Sequence, residues 1–116
     1  ASEVLVVDDE DDIRNLFERV LARHGYDVTT ASGPDAARRA AHDAGFDILV
    51  TDIDMAGGAV GVQLAQELLT VNPRLHVVFM SGSPHEGQVP PRYRLLMKPF
   101  AAEALLEAVR GVSAAP

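Results

Sequence analysis

The chain has 116 residues, 17 Asp plus Glu against 10 Lys plus Arg and no cysteine, for a formal net charge of −7. A chain of this length buries roughly two-thirds of its unfolded surface, enough for one core without disulfide or metal staples. The charge repels phosphate backbones, and Arg14, Arg19, Arg23, Arg38 and Arg39 are scattered without forming a basic stripe, so nucleic-acid binding is not expected; every apolar run is far shorter than the roughly 20 residues of a membrane span.

The first element is the run Val4-Leu5-Val6-Val7, apolar without interruption and rich in β-branched residues, the pattern of a strand covered on both faces. It begins within a few residues, without the charged and apolar regions of a secretory signal, which predicts cytoplasmic residence. Ile13, Leu16, Phe17, Val20 and Leu21 recur at helical spacing, with acids in the first turn and Gly25 just past the end. Residues 27–31 read as a weaker strand, and 34–44 as an alanine-rich helix with Pro34 near its first position and Gly45 after it. Ile48-Leu49-Val50 is a third strand. Val62, Ala65, Leu68 and Leu69 form the stripe of a helix over 62–71, stopped by Asn72-Pro73. Val77-Val78-Phe79-Met80 is a fourth strand, Leu95-Leu96-Met97 a short fifth, and Leu105, Leu106, Val109 and Val112 mark a closing helix. This alternation predicts one domain over 1–116, with a core at about 3–112 and frayed ends: a doubly wound α/β fold, a five-stranded parallel sheet with helices on both faces.

In open α/β sheets the binding crevice lies beyond the carboxyl ends of the strands. Asp8 and Asp9 follow the first strand, Asp52 the third, Ser81 the fourth and Lys98 the fifth, so three carboxylates, a hydroxyl and an ammonium converge on one edge. Carboxylates about 4 Å apart repel by roughly 4 kcal/mol at an effective dielectric near 20, so such a cluster calls for positive charge. Hard oxygen donors without histidine or cysteine suit Mg²⁺. Metal, carboxylate nucleophile and phosphate donors together describe aspartyl-phosphate chemistry. The plainer reading, in which Asp8 and Asp9 merely cap the first helix, Asp9 with Asp12 resembling an acidic cap, and Ser81 is an ordinary strand-end hydroxyl, does not account for Asp52 and Lys98 at the same edge. Glu10, Asp11 and Asp12 read as a solvated first turn, the four dispersed histidines as surface or packing residues, and Met55, Met80 and Met97 as packing.

Val-Val-Asp8-Asp9-Glu, Asp52 with Met55, Met80-Ser81-Gly82 and Met97-Lys98-Pro99-Phe100, in this order, resemble the receiver domain of bacterial two-component response regulators over nearly the whole chain. The resemblance implies a flavodoxin-like sheet and a phosphoacceptor module, not an enzyme, in which Asp52 takes a phosphoryl group from a histidine kinase or histidine phosphotransfer protein. It further implies Mg²⁺ held by Asp9, Asp52 and the backbone carbonyl of Asp54, with Asp8 helping through water. Ser81 and Lys98 would contact the phosphoryl oxygens, and the Lys98-Pro99 bond would be cis. The Gly57-Gly58 loop and the blocks around Ser81 and Lys98 resemble the hybrid-kinase group.

Three departures from the family pattern carry expectations. Ala56-Gly57-Gly58 and one extra residue before Gly61 predict a longer, more mobile loop beside the acceptor. Leu95 stands at the usual aromatic switch position, with Tyr93 two residues earlier on the same side of the strand. The short interval from Ser81 to Lys98 holds Pro84, Gly87, Pro90 and Pro91, which predicts a fourth helix shortened or missing. Two other readings are a haloacid-dehalogenase-like phosphohydrolase, suggested by Asp52-Ile53-Asp54, and a receiver-like binding module that is never phosphorylated. In the hydrolases, however, the nucleophile loop comes first and the acidic pair late, the reverse of the order here.

Overall fold

Val4 to Val7 and Ile48 to Val50 have no solvent exposure, which requires cover on both faces of each strand. The computed structural model describes residues 2–55, 58–82, 89 and 93–114. Within these, β1 (Glu3–Val7), α1 (Asp11–Arg23), β2 (Asp27–Ala31), α2 (Pro34–Asp43), β3 (Ile48–Asp52), α3 (Gly61–Val71), β4 (His76–Ser81), β5 (Arg94–Met97) and α4 (Ala102–Ala114) follow in order. The strands form one sheet in the order β2-β1-β3-β4-β5, every neighbouring pair parallel. This is the flavodoxin-like arrangement, and none of the described helices is long and apolar enough to cross a membrane.

Strand periodicity divides the core in two. Val4, Val6, Ile48, Val50, Val78 and Met80 meet Phe17 and Leu21 of α1 and Leu105 and Val109 of α4. Leu5, Val7, Leu49, Val77 and Phe79 meet Ala37 of α2 and Leu64, Ala65 and Leu68 of α3. Because both faces of β1 and β3 are apolar, a slip by one residue exchanges like for like and hydrophobicity fixes the register only weakly. Polar residues at the strand ends make the difference: a shifted β1 or β3 would bring Asp8 or Asp52 into the core.

Helix α1 ends in a Schellman motif: Tyr26 N–H donates to the Leu21 carbonyl and Gly25 N–H to that of Ala22, both at 3.1 Å. Gly25 sits at φ 92°, where a side chain would be strained. The N-cap of α1 is Glu10, whose side chain makes no capping bond, and the Glu10 N–H donates to Asp8 Oδ1 at 2.9 Å.

Some expectations need correction. Asp52 and Ser81 are the last residues of β3 and β4 and do not lie beyond them. Met97 is 43% exposed, since β5 is an edge strand, while Met55 and Met80 are packed as expected. The described residues hold four helices, the fourth being α4. The crossover between β4 and β5, where a shortened or missing helix was expected, falls on residues 83–88 and 90–92, outside the described residues. The longer loop after β3 is pinned at its base: Met55 and Gly58 exchange N–H···O bonds of 2.9 and 3.0 Å, and its tip, residues 56–57, also lies outside the described residues.

Candidate phosphoacceptor and metal site

The chain leaves β1 through α1 toward β2 on one side of the sheet, while β3 lies on the other, so a crevice opens beyond the carboxyl ends of β1 and β3. Asp8, the residue after β1, and Asp52, the last of β3, face each other there. Carboxylate oxygens of Asp8, Asp9 and Asp52 all lie within 4.8 Å of one another. Asp8 is fully buried and Asp52 nearly so, whereas Asp9 is exposed at the rim.

Lys98, one residue past β5, closes the crevice from the far edge. Its Nζ donates to Asp8 Oδ2 at 2.9 Å and to Asp52 Oδ2 at 3.2 Å. Its backbone N–H donates to the Ser81 carbonyl at 2.7 Å, and the Lys98-Pro99 peptide is cis. The Asp54 N–H reaches Asp52 Oδ1 at 3.3 Å, and the Ser81 hydroxyl donates to Asp54 Oδ2 at 3.4 Å. All the residues singled out from the sequence, Asp8, Asp9, Asp52, Asp54, Ser81 and Lys98, therefore meet at one place.

Asp8 is held on every polar group. Besides Lys98 on Oδ2 and Glu10 on Oδ1, its amide donates to the Ala31 carbonyl at 3.2 Å and its carbonyl accepts from Arg14 Nη1 at 2.8 Å. Both of its carboxylate oxygens are occupied, so Asp9 is the freer ligand of the two.

Each pair of ionised carboxylates at about 4.8 Å repels by roughly 3–4 kcal/mol at an effective dielectric near 20. One ammonium offsets part of this. Burial pushes the Asp52 carboxyl above its ordinary range; the charge of Lys98 pulls it down and that of Asp8 pushes it further up. Burial also opposes the charge on Lys98, but the hydrogen bond and charge of Asp8, with Asp52 added, outweigh it and hold the ammonium above its usual range. Three carboxylates against one lysine leave the pocket negative, and hard oxygen donors with a charge deficit are the donor set that Mg²⁺ takes. The residues present fit that ion. A separate groove of about 570 Å³, floored by Leu5, Phe46, Leu49, Leu68 and Leu75, opens near the amino ends of β3 and β4, away from the carboxylates.

Two contributors escaped the sequence reading. Arg14 looked like one of several scattered arginines; its spacing of three from Asp11, with which it pairs, was the available signal. Gly61 looked like the end of a loop. It is buried at the start of α3, and its N–H donates to the Ile53 carbonyl at 2.8 Å. A Cβ there would lie 2.0 Å from the Asp52 carbonyl oxygen, so only glycine lets α3 sit against the strand end that carries Asp52.

The chain matches the response regulator receiver domain family over residues 4–110. It is 27% identical to the response regulator receiver protein CpdR of Brucella abortus over 112 residues, covering 91% of this chain and 92% of that protein. Several longer transcriptional regulators also match, and of these the chain spans between 17% and 46% of the length. Among solved structures it is similar to response regulator TrrA of Thermotoga maritima in complex with Mg²⁺-BeF (25% identity, TM-score 0.84, 97% and 99% of the two chains). It is also similar to the receiver domain of the hybrid histidine kinase CckA (31% identity, TM-score 0.77, 94% and 96%). Proteins of different architecture share the likeness, so it singles out no host for this domain. Together with the order of the motifs, the match sets aside the dehalogenase-type reading.

Proposed function

Because the chain belongs to the response regulator receiver domain family of two-component signalling, we propose that Asp52 is its phosphoacceptor, that Asp8, Asp9, Asp52 and the Asp54 backbone carbonyl hold Mg²⁺, and that Ser81 and Lys98 contact the phosphoryl oxygens. The domain is a phosphoacceptor signalling module rather than a catalytic enzyme. The observation that carries the residue roles is the convergence of three carboxylates on a single shared lysine at the crevice between β1 and β3.

Mg²⁺, when bound, supplies the positive charge that lets carboxylates and phosphoryl oxygens share one pocket. A carboxylate oxygen of Asp52 attacks phosphorus; the new O–P bond forms as the P–N bond of the donor phosphohistidine breaks, and the imidazole leaves with the electron pair and takes up a proton. Lys98 keeps its proton throughout and offers it as a hydrogen bond to the oxygens that gain charge. The Ser81 hydroxyl turns from Asp54 toward the same oxygens. Burial of Asp52 limits the approach of water to the acyl phosphate.

The donor class that follows is a histidine kinase or a histidine phosphotransfer protein, in the cytoplasm, and residues 1–116 act as one receiver domain. Support for Mg²⁺ comes from the carboxylate cluster and from the Mg²⁺-BeF complex of the TrrA relative. Acetyl phosphate with Mg²⁺, followed by intact mass at early times, should add one phosphoryl group to the wild type and none to Asp52→Asn. Equal labelling of the variant rules out Asp52, and an unlabelled wild type favours a receiver-like binding module that is never phosphorylated.

A further inference from the structure

The geometry points to Arg14 as a positioning residue that aims Asp9 at the metal, an inference that rests on the Mg²⁺ site proposed above. The side chain of Glu10 does not cap helix α1, and the Glu10 N–H is tied to the turn before it through Asp8 Oδ1. Arg14 adds a second brace from the second turn. One guanidinium nitrogen donates to the Asp8 carbonyl at 2.8 Å and another pairs with the Asp11 carboxylate, so a single planar group spans the turn from its first residue to the first turn of α1. Arg14 is only 15% exposed although its partner Asp11 is 80% exposed, so its stem is packed and its head has little freedom.

The bond falls on the carbonyl of the peptide that joins Asp8 to Asp9. The Asp8 Oδ1 bond to Glu10 N–H closes a ring across the same peptide from the side-chain side, while Arg14 braces its carbonyl; the Asp9 carboxylate is exposed and has no anchor of its own among the described residues, so its direction depends on how that peptide is held. Arg14 holds that peptide, and through it the one ligand the pocket does not otherwise fix. As a cation near the carboxylates it acts in the opposite sense, opposing metal charge, so the two effects are told apart by direction.

Calorimetric titration of the whole domain with Mg²⁺ tests this. Arg14→Met keeps the stem and removes the donors; the loss of an outer partner of a ligand predicts roughly tenfold weaker Mg²⁺ binding well below the melting temperature. Arg14→Lys, which supplies one donor to the Asp8 carbonyl, should recover most of the loss. Asp11→Asn, which removes only the exposed partner, should stay within about twofold of wild type. Mg²⁺ binding by Arg14→Met that is unchanged or tighter overturns the inference, even if the variant melts earlier, because a purely structural role lowers stability and leaves affinity alone. Should Arg14→Met fail to fold, Arg14→Gln carries the same test with the same signs. Wild type that binds no Mg²⁺ overturns the metal reading and this inference together; wild type that binds while Arg14→Met matches it overturns this inference alone.

Discussion

Replacing Gly61 by alanine tests whether the seat of the acceptor depends on the close approach of α3. The added Cβ would lie 2.0 Å from the Asp52 carbonyl oxygen and 2.7 Å from Ile53 Cα. Both atoms belong to the backbone at the end of β3, where Asp52 pairs with Met80 and the Ile53 N–H donates to the Met80 carbonyl at 2.9 Å, so this backbone has little room to yield. To restore ordinary contact near 3.4 Å, the start of α3 must withdraw by about 1.4 Å. That movement stretches the 2.8 Å bond from Gly61 N–H to the Ile53 carbonyl, worth about 1 kcal/mol, and loosens Leu64 and Ala65. With an overpacking cost of about 1–3 kcal/mol, a net loss of about 1–3 kcal/mol follows after the better helix propensity of alanine, about 1 kcal/mol, is allowed for. At about 4 °C per kcal/mol for a domain of this size, calorimetry should show Tm lower by about 4–12 °C. Gly45→Ala, where a Cβ meets nothing within 4 Å, is the control and should change Tm little. Gly61→Ala melting with the wild type would show that the approach of α3 to Asp52 is not as close as described. If the variant folds, its labelling by acetyl phosphate should be slower, since the displaced helix start bears on the residue that carries the acceptor.

Further expectations concern the charges. In metal-free protein Asp52 titrates above its ordinary value of 3.8, first because burial disfavours its charge, so the native state keeps a proton that the unfolded state has released. Stability should therefore fall as pH rises through that window, and Asp52→Asn should lessen the fall; urea midpoints in chelator from about pH 4 to 8 check this, and an undiminished slope in the variant would refute it. Lys98→Met removes the cation shared by two buried carboxylates and should cost about 3–5 kcal/mol in chelator, less in an Asp52→Asn background; a loss below about 1 kcal/mol would mean that the pocket is better solvated than its burial indicates. Asp9→Ala should weaken Mg²⁺ binding more than Asp8→Ala, because both oxygens of Asp8 are already engaged, and undiminished affinity in Asp9→Ala would contradict the ligand assignment.

The strands were legible because burial on both faces writes itself as unbroken runs such as Val4 to Val7, and the site because a parallel sheet delivers the residues at those run ends to one edge. Asp8, Asp52, Ser81 and Lys98 could be picked out without knowing any distance. What was not legible depends on backbone groups, which carry no sequence signature. The bond from Arg14 to the Asp8 carbonyl and the van der Waals approach of Gly61 to the Asp52 carbonyl involve atoms that every residue possesses. The bond from Glu10 N–H to Asp8 Oδ1 is of the same kind, since its donor is a backbone amide. The groove floored by Leu5, Phe46 and Leu75 was also invisible, since each of those residues reads simply as core.

The separation of 46 positions between Asp52 and Lys98 also sets an order in time. At about 5–20 residues per second, a ribosome makes Lys98 roughly 2–9 s after Asp52. Until then a nascent chain has β1 and β3 available for pairing but no lysine to set between their acidic ends. The edge strand that contributes least to the core thus delivers the counter-charge, and docking of β5 is the event at which an acidic gap becomes a balanced pocket.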